Sequence, residues 1–191
     1  MDPVTPQGDL IRRAQLGDHR AFTDLIRSCD DRMRGLAYRL LGSQAAMDDA
    51  LQDAYLKAYR KLGTYDGRAA FSTWLYSVVY RTCLDHLRKR KRRREVSLEV
   101  VADASDLRPG HDEHLATRDA VRHALRQLPP DQAAAVCLVD GEGLSYDEAA
   151  EVLDVAPGTV ASRLNRARAA LRSQLSDPPE EPRSDTSGGA R

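Results

Sequence analysis

Between Thr159 and Arg166 the stretch "TVASRLNR" sets Thr159, Ser162, Arg163, Asn165 and Arg166 close together with no carboxylate among them. Arginine can bridge the paired acceptors of guanine or neutralise a phosphate, and hydroxyl groups can donate to base edges. These residue types suit the reading of a nucleic acid. A second cationic group is the run of seven basic residues from Arg88 to Arg94 in "HLRKRKRRREV". Cations this close repel one another unless salt or a polyanion screens them. A solvated helix end would account for one or two of them through the helix dipole, but not for an unbroken run. A third cluster, His111, Asp112, Glu113 and His114, has metal-binding residue types. It follows Pro109 and Gly110 in a segment read as a loop, with no nucleophile nearby, so a hydrolytic or metal-dependent enzyme is disfavoured. The chain is expected to have no catalytic residues, no metal and no cofactor.

Helices must position the first two groups. In "AFTDLIRSCDDRMRGLAYRLLG", Phe22, Leu25, Ile26, Cys29, Met33, Leu36, Ala37 and Leu40 recur at steps of three and four, which predicts one amphipathic helix, capped by Asp18 and ended by Gly42. "DDALQDAYLKAYRKLG" repeats the pattern and ends at Gly63. After the turn "TYDGRAA", a third long helix runs through "FSTWLYSVVYRTCLDHLRKRKRRR", with Trp74, Leu75, Val78, Val79, Thr82 and Cys83 along its apolar side. The basic run is then that helix's C-terminal end. Further on, "AVRHALRQLPPDQAAAVCLVDGEG" predicts two helices separated at Pro129 and Pro130.

The strongest local signal is "LSYDEAAEVLDVAPGTVASRLNRARAAL". Ser145 and Glu148 have the spacing of a capping box, Asp154 to Ala156 make a short connection, and Pro157 suits the first turn of the next helix. Val160, Leu164, Ala167 and Leu171 form a narrow apolar stripe on that second helix. A short helix, a tight turn and a helix cationic on its free side make a helix-turn-helix, here over 147–166, whose second helix fits the major groove. An ordinary helical hairpin with a solvated arginine face is the alternative.

Charge and composition agree with this order. Residues 1–94 carry 19 Lys or Arg against 11 Asp or Glu, a net +8, and residues 95–191 carry the compensating −8. The cationic half suits a polyanion, and the acidic stretch that follows must be kept away from it. With 30% charged and only 5% aromatic residues, the chain reads as helical rather than as a β-sandwich. No apolar run approaches a membrane span, and "MDPVTPQGDL" lacks the order of a signal peptide, so a cytoplasmic protein without membrane insertion is expected. The three cysteines, Cys29, Cys83 and Cys137, each fall in an apolar helical pattern and read as buried thiols.

Taken together these blocks resemble a bacterial sigma factor of the extracytoplasmic function (ECF) group of the sigma-70 family, over roughly Asp9 to Leu175. "DDALQDAYLKAYRKL" resembles region 2.2, "FSTWLYSVVYRTCLDHLRKRKRR" regions 2.3 and 2.4, and "LPPDQAAAVCLVDGEGLSYDEAAEVLDVAPGTVASRLNRARAAL" region 4. The resemblance implies an all-α fold of two small helical domains joined by an acidic flexible linker. Region 2 would span 9–94, the linker 95–118, region 4 119–176, and a disordered tail 177–191. It implies that Asp48, Asp49, Gln52, Asp53 and Lys57 dock on the clamp of the largest subunit of core RNA polymerase. Asp66, Gly67, Arg68, Phe71, Arg81, Arg88, Lys89, Arg90 and Lys91 would recognise and melt the −10 element. Thr159, Ser162, Arg163, Asn165 and Arg166 would read the −35 element. Trp74, in the apolar stripe, is expected in the core rather than as a stacking platform. At Arg81 many family members carry Asn, and at Ala161 a basic residue is common, which moves the −35 contact to Arg163 and Arg166. The partners implied are core polymerase, promoter DNA and an anti-sigma protein. The rival reading is a stand-alone helix-turn-helix regulator that binds duplex operators without polymerase.

Overall fold

The computed structural model describes residues 6–96 and 120–176 apart from 122, with side chains of the first stretch through Arg93. Among the described residues there are helices and no strands. Glu95 and Val96, the first residues of the expected linker, continue the last helix of the first unit, while the rest of that linker, the tail and the cluster at His111 to His114 lie outside the described residues.

The first unit comprises α1 (Pro6–Gln15), α2 (His19–Arg27), α3 (Asp30–Leu41), α4 (Gln44–Lys61) with a 3₁₀ turn at Leu62–Thr64, and α5 (Phe71–Val96). Asp18 caps α2 by accepting from the backbone N–H groups of Arg20 and Ala21 at 2.9 and 3.1 Å. Gly42 ends α3 in the left-handed conformation, φ 77°, where a Cβ would be strained, and Ser43 caps α4 through the Ala46 N–H.

The single helix expected over 21–42 is in fact two. The Ser28 hydroxyl donates to the Leu25 carbonyl at 2.7 Å, Cys29 leaves helical geometry at φ −120°, and Asp30 and Asp31 open α3, where carboxylates favour a new N-terminus. Leu25, Cys29, Met33 and Leu36 stay buried on both sides of the break, so the apolar spacing runs through it unaltered. The sequence reading also missed α1, which buries only Ala14 fully and leans Leu10 and Ile11 on the core.

The second unit begins with a helical segment at residues 123–127, then α6 (Pro130–Val136), which passes into a π turn at Cys137–Gly141. α7 (Tyr146–Leu153) and α8 (Pro157–Ser176) follow. The capping box forms: Ser145 N–H donates to Glu148 Oε2 at 2.8 Å and Glu148 N–H to Ser145 Oγ at 3.2 Å. Asp154, at φ 56° and ψ 51°, closes α7 in the left-handed region that aspartate tolerates better than most residues. Val160, Leu164 and Ala167 are buried as the stripe requires, with Leu171 half-buried below them.

The two units share one core. α5 is buried along two faces: Thr82 and His86 reach α4 on one side, while Tyr76 on the other bonds Glu142 of the second unit. The three cysteines are free and buried, and burial pushes the Cys83 thiol up to about 12 and Cys137 up to about 11. Such thiols are inert.

Two carboxylates at helix starts set a pH dependence. Asp18 is lowered chiefly by the Ala21 N–H and then by Arg13, and Glu148 by the Ser145 N–H. Their folded values lie below their unfolded ones, so the stabilisation is complete above the ordinary carboxylate range and lost as pH falls through the folded values. Ser145→Ala should cost about 1 kcal/mol, read by denaturant unfolding, and should leave most of this pH dependence in place, because the backbone N–H at position 145 still donates to Glu148.

Candidate nucleic-acid interface

The capped α7 and the turn at Asp154 to Ala156 hold α8 at its N-terminal end, where the proposed reading residues sit. Ser162, Asn165 and Arg166 are open to solvent and Thr159 is half-buried. Arg166 lies along the helix, with Nε on the Ser162 carbonyl at 3.2 Å and Nη2 on Ser162 Oγ at 3.3 Å. Arg163 differs. Its side chain is 19% exposed, its Nε sits 3.0 Å from Asp131 Oδ2, and both charges act on the buried Tyr80 hydroxyl of α5. Arg163 therefore lies against the contact between the units rather than on the open face.

At the end of α5, Arg88, Lys89, Lys91, Arg92 and Arg93 lie on the outer side of the helix, and Arg88 pairs with Asp85 at 3.4 Å. Arg90 turns inward, half-buried, and donates to the Leu41 carbonyl at 3.4 Å, at the C-terminal end of α3. A cation there complements the helix dipole. Arg94 belongs to the helix, but its side chain lies outside the described residues.

The loop before α5 is organised by its own side chains. Asp66 Oδ1 accepts from the Arg68 N–H at 3.1 Å, Asp66 Oδ2 pairs with Arg68 Nε at 3.1 Å, and Gly67 takes φ 78°. The Arg68 side chain itself is 90% exposed. Phe71, expected among the DNA-contacting residues, is 1% exposed and packs edge-on against Tyr65, so its ring supports the loop from inside. Trp74 packs on the core as expected, yet stays half-buried and lines a recess of about 280 Å³ with Tyr65, Asp66 and Ser77. Arg81 is exposed and reaches Asp154 Oδ2 of the second unit at 3.4 Å.

The face of α4 expected to meet polymerase carries Asp48, Asp49 and Gln52 exposed and Asp53 and Lys57 closer to the neighbouring helix. Asp53 Oδ2 is 2.9 Å from His86 Nε2, and that hydrogen bond is the main cause holding the Asp53 carboxyl below its usual range. Lys57 reaches Thr82 Oγ1 at 3.3 Å and Asp85 Oδ2 at 3.5 Å. α4 is thus tied by polar contacts to the helix that ends in the basic run. Sequence reasoning missed Leu56, which is 50% exposed and shares the face of Gln52 and Asp53 at helical spacing. An apolar side chain exposed among carboxylates was the available signal.

It also missed Glu142, which follows the π turn. Its side chain is 10% exposed, accepts from the Tyr76 hydroxyl at 2.8 Å, and pairs with Arg39 Nη1 at 3.2 Å, so one carboxylate joins α3, α5 and the second unit. Burial first, and then this bond, raise the Tyr76 hydroxyl pKa. Tyr76→Phe leaves the carboxylate one donor short and should cost about 2 kcal/mol of stability. Hydrogen exchange in α7 should quicken with it; unchanged protection would show that the contact does not hold the units together.

A family model described as Sigma-70 region 2 matches residues 25–93, and one described as Sigma-70, region 4 matches residues 118–171. The chain is 37% identical over 177 residues to the RNA polymerase sigma-H factor of Pseudomonas aeruginosa, covering 87% of this chain and 92% of that protein. It is 40% identical over 163 residues to the ECF RNA polymerase sigma factor SigM of Mycobacterium tuberculosis, covering 85% and 81%. Among solved structures, the sigma factor RpoE in complex with the anti-sigma factor NepR from Bartonella quintana aligns with TM-score 0.72 at 28% identity, over 81% of this chain and 96% of that one. CnrH in complex with the cytosolic domain of CnrY aligns with TM-score 0.66 at 26% identity, over 87% and 95%.

Proposed function

Because the chain belongs to the sigma-70 family, in its extracytoplasmic function group, we propose that it binds core RNA polymerase in the cytoplasm and directs promoter recognition, DNA melting and the start of transcription. The observation that carries this reading is a region 2 match followed by a region 4 match in one chain, with a formed helix-turn-helix in the second. The work is done by binding energy, and no bond is made or broken by the protein.

The division of labour proposed is region 2 over 9–94, a linker over 95–118, region 4 over 119–176 and a tail over 177–191. Asp48, Asp49, Gln52, Asp53 and Lys57, with Leu56 among them, form the polymerase face: a desolvated leucine supplies affinity and the charges around it set register. The loop at Asp66 to Arg68 receives a base of the separated strand. Phe71 supports that loop from the core, and Arg81 follows along α5. Arg88, Lys89 and Lys91 hold phosphates, with Arg90 bracing the helix end. α8 enters the major groove, where Thr159, Ser162, Asn165 and Arg166 face the bases and Arg163 joins them once it leaves Asp131. Since Arg163 lies against the contact between the units and Arg81 bonds across it, simultaneous use of both promoter elements requires the units to part. A regulatory anti-sigma protein would act by preventing that.

Run-off transcription with purified core enzyme on genomic templates tests the reading: promoter-dependent transcripts absent with core alone are expected, and their absence across the library refutes it. Replacing Arg88, Lys89, Lys91 and Arg92 by Gln should weaken open complexes at every promoter. The slope of log affinity against log salt should flatten by about 0.7 to 0.9 for each phosphate that the variant no longer neutralises.

A further inference from the structure

We infer that Gln15 of α1 is a positioning residue for the loop that captures the unpaired base, so that α1 forms part of the −10 reading site. The inference rests on the proposed role of the loop at Asp66 to Arg68. α1 lies ahead of residue 25, where the region 2 match begins.

Gln15 Nε2 donates to the Leu62 carbonyl at 3.1 Å and to the Tyr65 carbonyl at 2.9 Å. Both partners are acceptors only, so both hydrogens of the amide nitrogen are committed and the side chain has one orientation. The two carbonyls bracket the 3₁₀ turn at Leu62–Thr64, and the second belongs to the residue at which the loop departs. Tyr65 passes the constraint on: its hydroxyl donates to the Ala69 carbonyl at 2.7 Å, and its ring packs against Phe71 and Trp74 at centroid distances of 5.9 and 5.5 Å. Leu62 and Phe71 are buried anchors, whereas Asp66, Gly67 and Arg68 between them are exposed. Without the amide, the Tyr65 carbonyl loses its described donor, and the segment 62–71 loses both described side-chain bonds that reach its backbone from outside it.

The same helix walls a recess of about 420 Å³, with Gln7, Ile11 and Gln15 on one side and Tyr65, Arg68 and Phe71 on the other. The recess is open and lined more by polar than by apolar groups, so a base taken out of the stack would be held there chiefly by hydrogen bonds to its edge. Gln15 sits where α1 meets the loop, so it sets the width of that recess by fixing Tyr65. It acts on the base through the loop and is not itself a base-contacting group.

The experiment uses the full chain with core polymerase on a promoter it transcribes, with 2-aminopurine placed in turn at each non-template −10 position. Fluorescence then reports unstacking of each base, and single-base substitutions report discrimination. Gln15→Glu keeps the shape but has no donor and sets a charge against two carbonyls. It should reduce stable opening about tenfold, equivalent to about 1.4 kcal/mol, and level the discrimination at the captured base. Gln15→Lys, which can still donate to both carbonyls, should retain most of each. Core binding by either variant should be unchanged. Wild-type opening and discrimination in Gln15→Glu, or equal losses in Gln15→Glu and Gln15→Lys, overturn the inference. If Asp66→Ala and Arg68→Ala also leave the fluorescence and discrimination unchanged, the loop captures no base and the functional reading fails; if they alter both while Gln15→Glu does not, only the role of Gln15 fails.

Discussion

Tyr76 and Glu142 are the contact on which the arrangement of the chain turns. Tyr76 stands on α5 among residues that already bury one face of that helix in the first unit, and its hydroxyl ends on a carboxylate that is nearly enclosed. Enclosing a carboxylate is costly unless it is paired and hydrogen-bonded, and Arg39 together with Tyr76 satisfies it. Neither partner belongs to the unit that supplies Glu142, so the second unit meets its own polar requirement only by resting on the first. Burial of Tyr80 beside Arg163 and the exposed pairing of Arg81 with Asp154 follow from that seating. The Arg81 pair contributes little energy, since it is solvent-screened, but it marks which surfaces face each other.

Charge is distributed along the same helix. α5 starts beside an exposed, self-organised loop, is fastened to α4 midway by the Thr82 and His86 contacts, and ends in a basic run only part of which is used internally. A single rigid element therefore links three surfaces: the loop proposed to take a base, the α4 face proposed to meet polymerase, and the cations proposed to hold phosphate. Rigid connection fixes their spacing, as a site for a separated strand requires. The loop is the part least secured by packing, and there Gln15, Tyr65 and Asp66 supply hydrogen bonds in place of apolar contacts.

Much of this was legible in the residues. The helix-turn-helix follows from the capping box, Pro157 and the apolar stripe, because each is a local rule that neighbouring residues satisfy by themselves. The third helix and its basic end follow from periodicity in the same way. The break between α2 and α3 did not, since the apolar spacing continues through it and only the Ser28 hydroxyl and the following pair of aspartates mark it. α1 was missed because it is mostly exposed and has too few apolar positions to show a pattern.

The sequence by itself determined the helical class, the order of the two units and the placing of cations on α8 and at the end of α5, since helix periodicity, capping and charge depend on near neighbours along the chain. Tertiary structure alone decided which side chains in those groups are available. Phe71 went into the core, Arg90 turned to a helix end, Arg163 settled on Asp131, and Glu142 and Gln15 acquired roles that no local pattern announces. The physical reason is separation along the chain: Gln15 meets a loop that begins nearly fifty residues later, and Glu142 meets residues 66 and 103 positions away. Contacts at such range depend on how whole helices pack, and a carboxylate or an amide shows the need for a partner without showing which one it will find.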